Sequence, residues 1–121
     1  MVGLVDTLLA QHQAGRRVTD AIMRYAPNAR SDEDDRHRLV SAMQSFVTMY
    51  RPHAAREDTD LFPKLRGLVS AHEYDAMAEQ FEMEERRHFG PEGFEKIVDR
   101  VANLEKAIGI NDLNQFTPRG L

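Results

Sequence analysis

Apolar residues recur every three or four positions along nearly the whole chain. No stretch alternates apolar and polar residues in the manner of a half-buried strand. Val5, Leu8, His12, Gly15, Thr19, Ile22 and Ala26 form one stripe, which predicts a helix from Val2 to about Tyr25. Pro27 ends it, because proline cannot continue the hydrogen-bond ladder. Ser31-Asp32-Glu33-Asp34-Asp35 reads as an N-cap followed by acidic residues that suit the positive end of a helix dipole. The second helix begins near Glu33, with Leu39, Ala42, Phe46, Met49, Tyr50, His53, Glu57 and Asp60 on one side. Pro52 predicts a kink or a new turn just ahead of His53, and the pattern ends at Leu61-Phe62-Pro63. Ser70-Ala71-His72-Glu73 is a capping box that opens a third helix, with Tyr74, Met77, Phe81, Glu84 and His88 on one face. Gly90-Pro91 stops it. Phe94, Ile97, Val98, Val101, Leu104 and Ile108 form the stripe of a fourth helix. The pattern predicts an all-α chain, an up-down bundle of four helices in one domain over residues 1–110. An irregular tail follows at 111–121.

Composition narrows the chemistry. The formal net charge of −4 argues against a nucleic-acid binder that works by neutralising phosphates. The absence of cysteine excludes disulfides, zinc–thiolate sites, iron–sulfur clusters and thiol nucleophiles. No apolar run is long enough to span a bilayer, and the first residues lack a basic region and a long apolar core. A soluble cytoplasmic protein is the expectation. Neither a glycine-rich phosphate loop nor a nucleophile motif is present. Met23, Met43, Met49, Met77 and Met83 are read as packing residues rather than a copper site.

The most informative string is His53-Ala54-Ala55-Arg56-Glu57. Positions i and i+4 lie one turn apart on the same side of a helix, so an imidazole and a carboxylate can reach one ion. That mixed nitrogen and oxygen set suits iron, manganese or zinc. By itself this spacing fits a surface ion pair equally well. His53, however, shares its side with Leu39, Phe46 and Met49, and His12 lies on the apolar stripe of its own helix. Both are therefore expected to face a core, where an unsatisfied polar group costs a few kcal/mol. Two histidines and a glutamate on facing helices share one simple explanation, a metal ion held by His12, His53 and Glu57. Asp58 is a subsidiary candidate, as are Glu84 and His88, which repeat the i,i+4 geometry on the third helix. For His88, capping of the helix end is an equal or better reading. His37 and His72 are read as solvated.

These residues resemble the hemerythrin-like family of HHE cation-binding domains. Gln11-His12-Gln13-Ala14-Gly15-Arg16 is similar to the histidine-bearing third helix of the longer bacterial members. The string from Tyr50 through His53 and Glu57 to Pro63 is similar to their histidine–glutamate fourth helix. Glu73-Tyr74-Asp75, Phe89-Gly90 and Gly93 to Val98 are similar to the tail that follows. The resemblance implies a four-helix bundle binding two irons, with O2, NO or peroxide as the small oxidant that is bound, sensed or reduced. It does not settle whether the protein is an enzyme. Only the second half of the family's ligand pattern is matched: one histidine helix and one His-x-x-x-Glu helix. Where longer members carry Glu-His near the end of the next helix, this chain reads Glu85-Arg86 and then His88. The expectation is therefore a homodimer in which each copy supplies half of a dinuclear site. The competing expectation is a metal-free helical interaction module that keeps the fold without the chemistry.

Overall fold

A computed structural model describes residues 2–120, and among them every regular element is helical. The elements are α1 (Val2–Tyr25), α2 (Glu33–Arg56), a π-helical segment (Glu57–Leu61), α3 (Phe62–Leu68), α4 (Ala71–Phe89), α5 (Gly93–Ala107) and a short 3₁₀ turn (Leu113–Phe116). The chain divides into two compact units, the first ending at Val69 and the second beginning at Ser70. Among the described residues, no helix is long and apolar enough to cross a membrane.

In the first unit α1 and α2 form an antiparallel pair, as the contacts Gln11–His53 and Tyr25–Arg38 require. The Asp32 side chain accepts the Asp35 N–H at 2.9 Å and caps α2. Arg38, one turn further on, donates to Asp35 and lies over the Tyr25 ring, which ties the end of α1 to the start of α2. Between the helices Gly15 is buried, and a Cβ there would stand 3.4 Å from the Met49 methyl. This close approach is what the glycine in the α1 stripe provides. Leu8 is the buried apolar side chain of this pair and His53 the buried polar one. Met23 and Met43 are exposed, as Met83 is in the second unit. The expectation that these three are packing residues is therefore corrected: among the described residues, no helix of its own unit covers the face on which each lies.

The second helix does not end at Pro63. It passes through Pro52 within α2, widens into the π-helical segment, and resumes as α3 with Pro63 in its first turn. Because the rod runs on unbroken, Pro63 forgoes one ladder bond that another residue would make there, and the widened turn lies just ahead of it. The Phe62 N–H reaches back five residues to the Glu57 carbonyl. That wider turn carries the chain past the proline, which periodicity alone had read as a stop.

In the second unit the capping box is present as read. The Ser70 hydroxyl accepts the Glu73 N–H at 3.2 Å, and the Glu73 carboxylate accepts the Ser70 N–H at 2.8 Å. Gly90 ends α4 at φ 90°, a conformation open to glycine, and the Gly93 N–H donates back to its carbonyl to turn the chain into α5. The tail, read as irregular, contains one ordered turn, capped by the Asp112 side chain.

Candidate metal centre

His12 sits midway along α1, His53 in the last turn of α2, and Glu57 at the start of the π-helical segment. The Glu57 N–H still donates to the His53 carbonyl in the ordinary helical register, so their side chains leave the helix on one side. The antiparallel pairing brings His12 across to meet them. His53 Nε2 lies 3.0 Å from His12 Nε2 and 3.2 Å from Glu57 Oε1, and His12 Nε2 lies 3.5 Å from the same carboxylate oxygen. Among the described residues, this is the group of three or more metal-capable side chains whose donor atoms converge, all within 4.8 Å of one another.

The tautomer of His53 follows from its other nitrogen. Nδ1–H donates to Gln11 Oε1 at 2.9 Å, which puts Nε2 on the side of Glu57 and His12, where it offers a lone pair whenever the ring carries only the Nδ1 proton. Tyr50 stacks on the His53 ring at 5.2 Å and Phe46 stacks on Tyr50 at 5.0 Å, so the imidazole is fixed in its plane from a second direction. An imidazole lone pair facing a carboxylate oxygen is repulsive until a proton or a metal ion stands between them. Two donors, each about 2.1 Å from a shared ion and about 90–110° apart, lie roughly 3.0–3.4 Å from each other. Two of the observed separations, 3.0 and 3.2 Å, fall in that range and the third, 3.5 Å, lies just beyond it, and the anchored Nδ1–H is the usual support of a metal-binding histidine. The residues present therefore fit a cation.

Burial across the group is graded. The His53 side chain is 1% exposed, Glu57 22% and His12 42%. The expectation that His12 faces a core is thus corrected. It stands at the open edge of the helix pair, because no third helix covers that side within this unit. There it borders a hollow lined by Gly15, Thr19, Phe46 and Tyr50.

The subsidiary candidates lie elsewhere on their elements. Asp58 is exposed and does not join the converging group. Asp60 is held by the Lys64 ammonium, whose hydrogen bond lowers its pKa below the ordinary aspartate value. Glu84 and His88 are exposed on α4 and pair with each other at 3.8 Å, with Arg87 also on Glu84. His37 and His72 are exposed, as expected. Gln11 is the functional residue that sequence reasoning missed. Its signal was faint: a polar residue beside His12, one helical step towards α2.

The chain matches the family described as the hemerythrin HHE cation binding domain over residues 3–117. It is 45% identical over 119 residues to Uncharacterized protein Mb2018 of Mycobacterium bovis and, equally, to Uncharacterized protein Rv1995 of Mycobacterium tuberculosis. Each match covers 98% of this chain and 47% of the relative, so the chain spans about half the length of the curated relatives it matches. No solved structure matches it. A family match over nearly the whole chain, with His12, His53 and Glu57 converging inside it, makes this protein a member of the hemerythrin HHE cation-binding family.

Proposed function

We propose that the chain supplies half of a non-haem di-iron centre that binds, senses or reduces a small oxidant: O2, NO or peroxide. The observation that carries this reading is the meeting of His12 Nε2, His53 Nε2 and Glu57 Oε1, with His53 locked by Gln11. In it His12 and His53 are terminal nitrogen ligands, and Glu57, with two carboxylate oxygens, is able to join two ions. Iron suits this donor set, and manganese or zinc would also be accepted by it. Bound iron would supply an open coordination position and redox capacity.

Three donors from one chain make a sparse site. A second copy related by a twofold axis would bring three more, and two such α1/α2 pairs would form a four-helix bundle with every donor pointing inward. The exposed edge of His12 and the exposed apolar residues Leu9, Met43 and Val47 support a further pair of helices against this one. In relatives twice as long, the same polypeptide has length enough to provide that pair.

The test is metal quantification with an absorption spectrum on protein purified in the presence of iron. About one iron per chain, with ligand-to-metal bands that change on adding an oxidant or NO, is expected. Protein that takes up no iron, manganese or zinc would leave the helical interaction module as the reading.

A further inference from the structure

Helix α5 carries an apolar stripe separate from the His12, His53 and Glu57 group. Its apolar residues Phe94, Ile97, Val101 and Leu104, with Ile108 at its C-cap, follow steps of three, four, three and four, the seam of a coiled coil over two heptads. Phe94, Val101, Leu104 and Ile108 are exposed and Ile97 is half-buried, so α4 leaves most of this seam uncovered. Beside it stand Arg100, in the position that precedes one seam residue, and Glu105, in the position that follows another. They lie five apart on one helix, a spacing at which they do not face each other. Neither has an ion-pair partner among the described residues.

We propose that α5 pairs in parallel with α5 of a second copy of this chain. In a parallel pair Arg100 of one helix meets Glu105 of the other, and symmetry makes that contact twice. An antiparallel pair offers no such match, since Arg100 would then fall beside Ala107 and Glu105 beside Val98. The charges thus select both the partner and its direction. Because the seam is only two heptads long, it adds to dimer affinity rather than supplying all of it. The proposal shares its partner with the di-iron reading but needs no metal, so the two fail separately.

The whole chain is cysteine-free, which permits a direct test in chelator. Val101→Cys places a thiol in the seam, and Asp99→Cys places one on the opposite side of α5. Under mild oxidation Val101→Cys is expected to form a disulfide-linked dimer rapidly, and Asp99→Cys to remain mostly monomeric. In sedimentation equilibrium, Arg100→Glu and Glu105→Arg should each weaken dimerisation by about threefold to tenfold. The combined reversal should recover most of that loss. Equal cross-linking at positions 99 and 101, no cross-linking at either, or charge reversals without effect would each overturn the proposal. Loss of metal binding with the α5 contact intact would instead overturn the di-iron reading alone.

Discussion

His53 concentrates the site's requirements on one side chain: it is buried, its Nδ1–H is held by Gln11, its ring is stacked by Tyr50, and its Nε2 faces two further donors. His53→Ala is expected to abolish metal binding while circular dichroism at 222 nm stays near the wild-type value, since the helices rest on their apolar contacts. Full metal content in that variant would remove His53 from the site. Glu57→Gln should weaken binding far more than Asp58→Asn, because Glu57 keeps the helical register with His53 and Asp58 stands exposed outside the group. Chelator competition measures both, and equal losses would mean that the ligand face is misread. Gln11→Leu removes the acceptor that fixes the His53 tautomer and should cost about tenfold in metal affinity. Of these residues, His12, His53 and Glu57 were legible in the sequence because helical periodicity places each on a known face. Gln11 was not, because its partner lies 42 positions away on another helix, and no local spacing records that meeting. The openness of His12 was also hidden. An apolar stripe says which way a residue points, not whether anything stands there.

Among the elements, capping signals were read most faithfully. Ser70 caps α4 as read, and α2 is capped within the string read as its start, by Asp32 rather than by Ser31, whose hydroxyl donates to the Asn28 carbonyl. Asp32→Ala should cost about 1 kcal/mol of stability in a denaturant titration of the chain. The capping box also predicts a pH dependence. Hydrogen bonds from the Ser70 N–H and hydroxyl to the Glu73 carboxylate lower its pKa in the folded state. Its stabilising contribution is therefore complete above the ordinary glutamate pKa and is lost as pH falls through the lower folded value. Helicity followed by circular dichroism on acidification should show this loss, and Glu73→Gln should remove that part of the profile. An unchanged profile in the variant would assign the acid transition to other carboxylates. The second helix was misjudged at Pro63 because a proline looks the same in sequence whether it follows a helix or opens a new turn within one. The slip into π geometry that accommodates it leaves no compositional mark.

For the whole molecule, fold class was plain from periodicity and the absence of strand patterning. Assembly was not, because exposed apolar residues state a need for cover without naming what provides it. The symmetric reading predicts a dimer with two metal ions, one per chain on average. Metal and dimer should be linked, since an ion held by both copies stabilises their association by mass action. Light scattering combined with metal quantification decides this, and a metal-loaded monomer would exclude the shared site. The division into two units adds a further expectation: disruption of the α1/α2 pair by Leu8→Ala should melt that pair, with α4 and α5 keeping much of their helicity. Amide exchange resolved by segment would show it.

The π-helical segment holds one residue more than an α-helical turn needs, since its closing bond spans five positions instead of four. The surplus comes after Glu57, so His53 and Glu57 belong to one unbroken register while Leu61 and everything in α3 belong to another. In terms of sequence change, this is a built-in tolerance for length. Deleting Thr59 would let the segment close as ordinary helix, with the same Phe62-to-Glu57 bond now spanning four positions, and would leave α3 facing as it does relative to α2. The two donors upstream would keep their places. The ligand pair and the apolar residues beyond it are thereby free to vary independently, even though one continuous rod carries both.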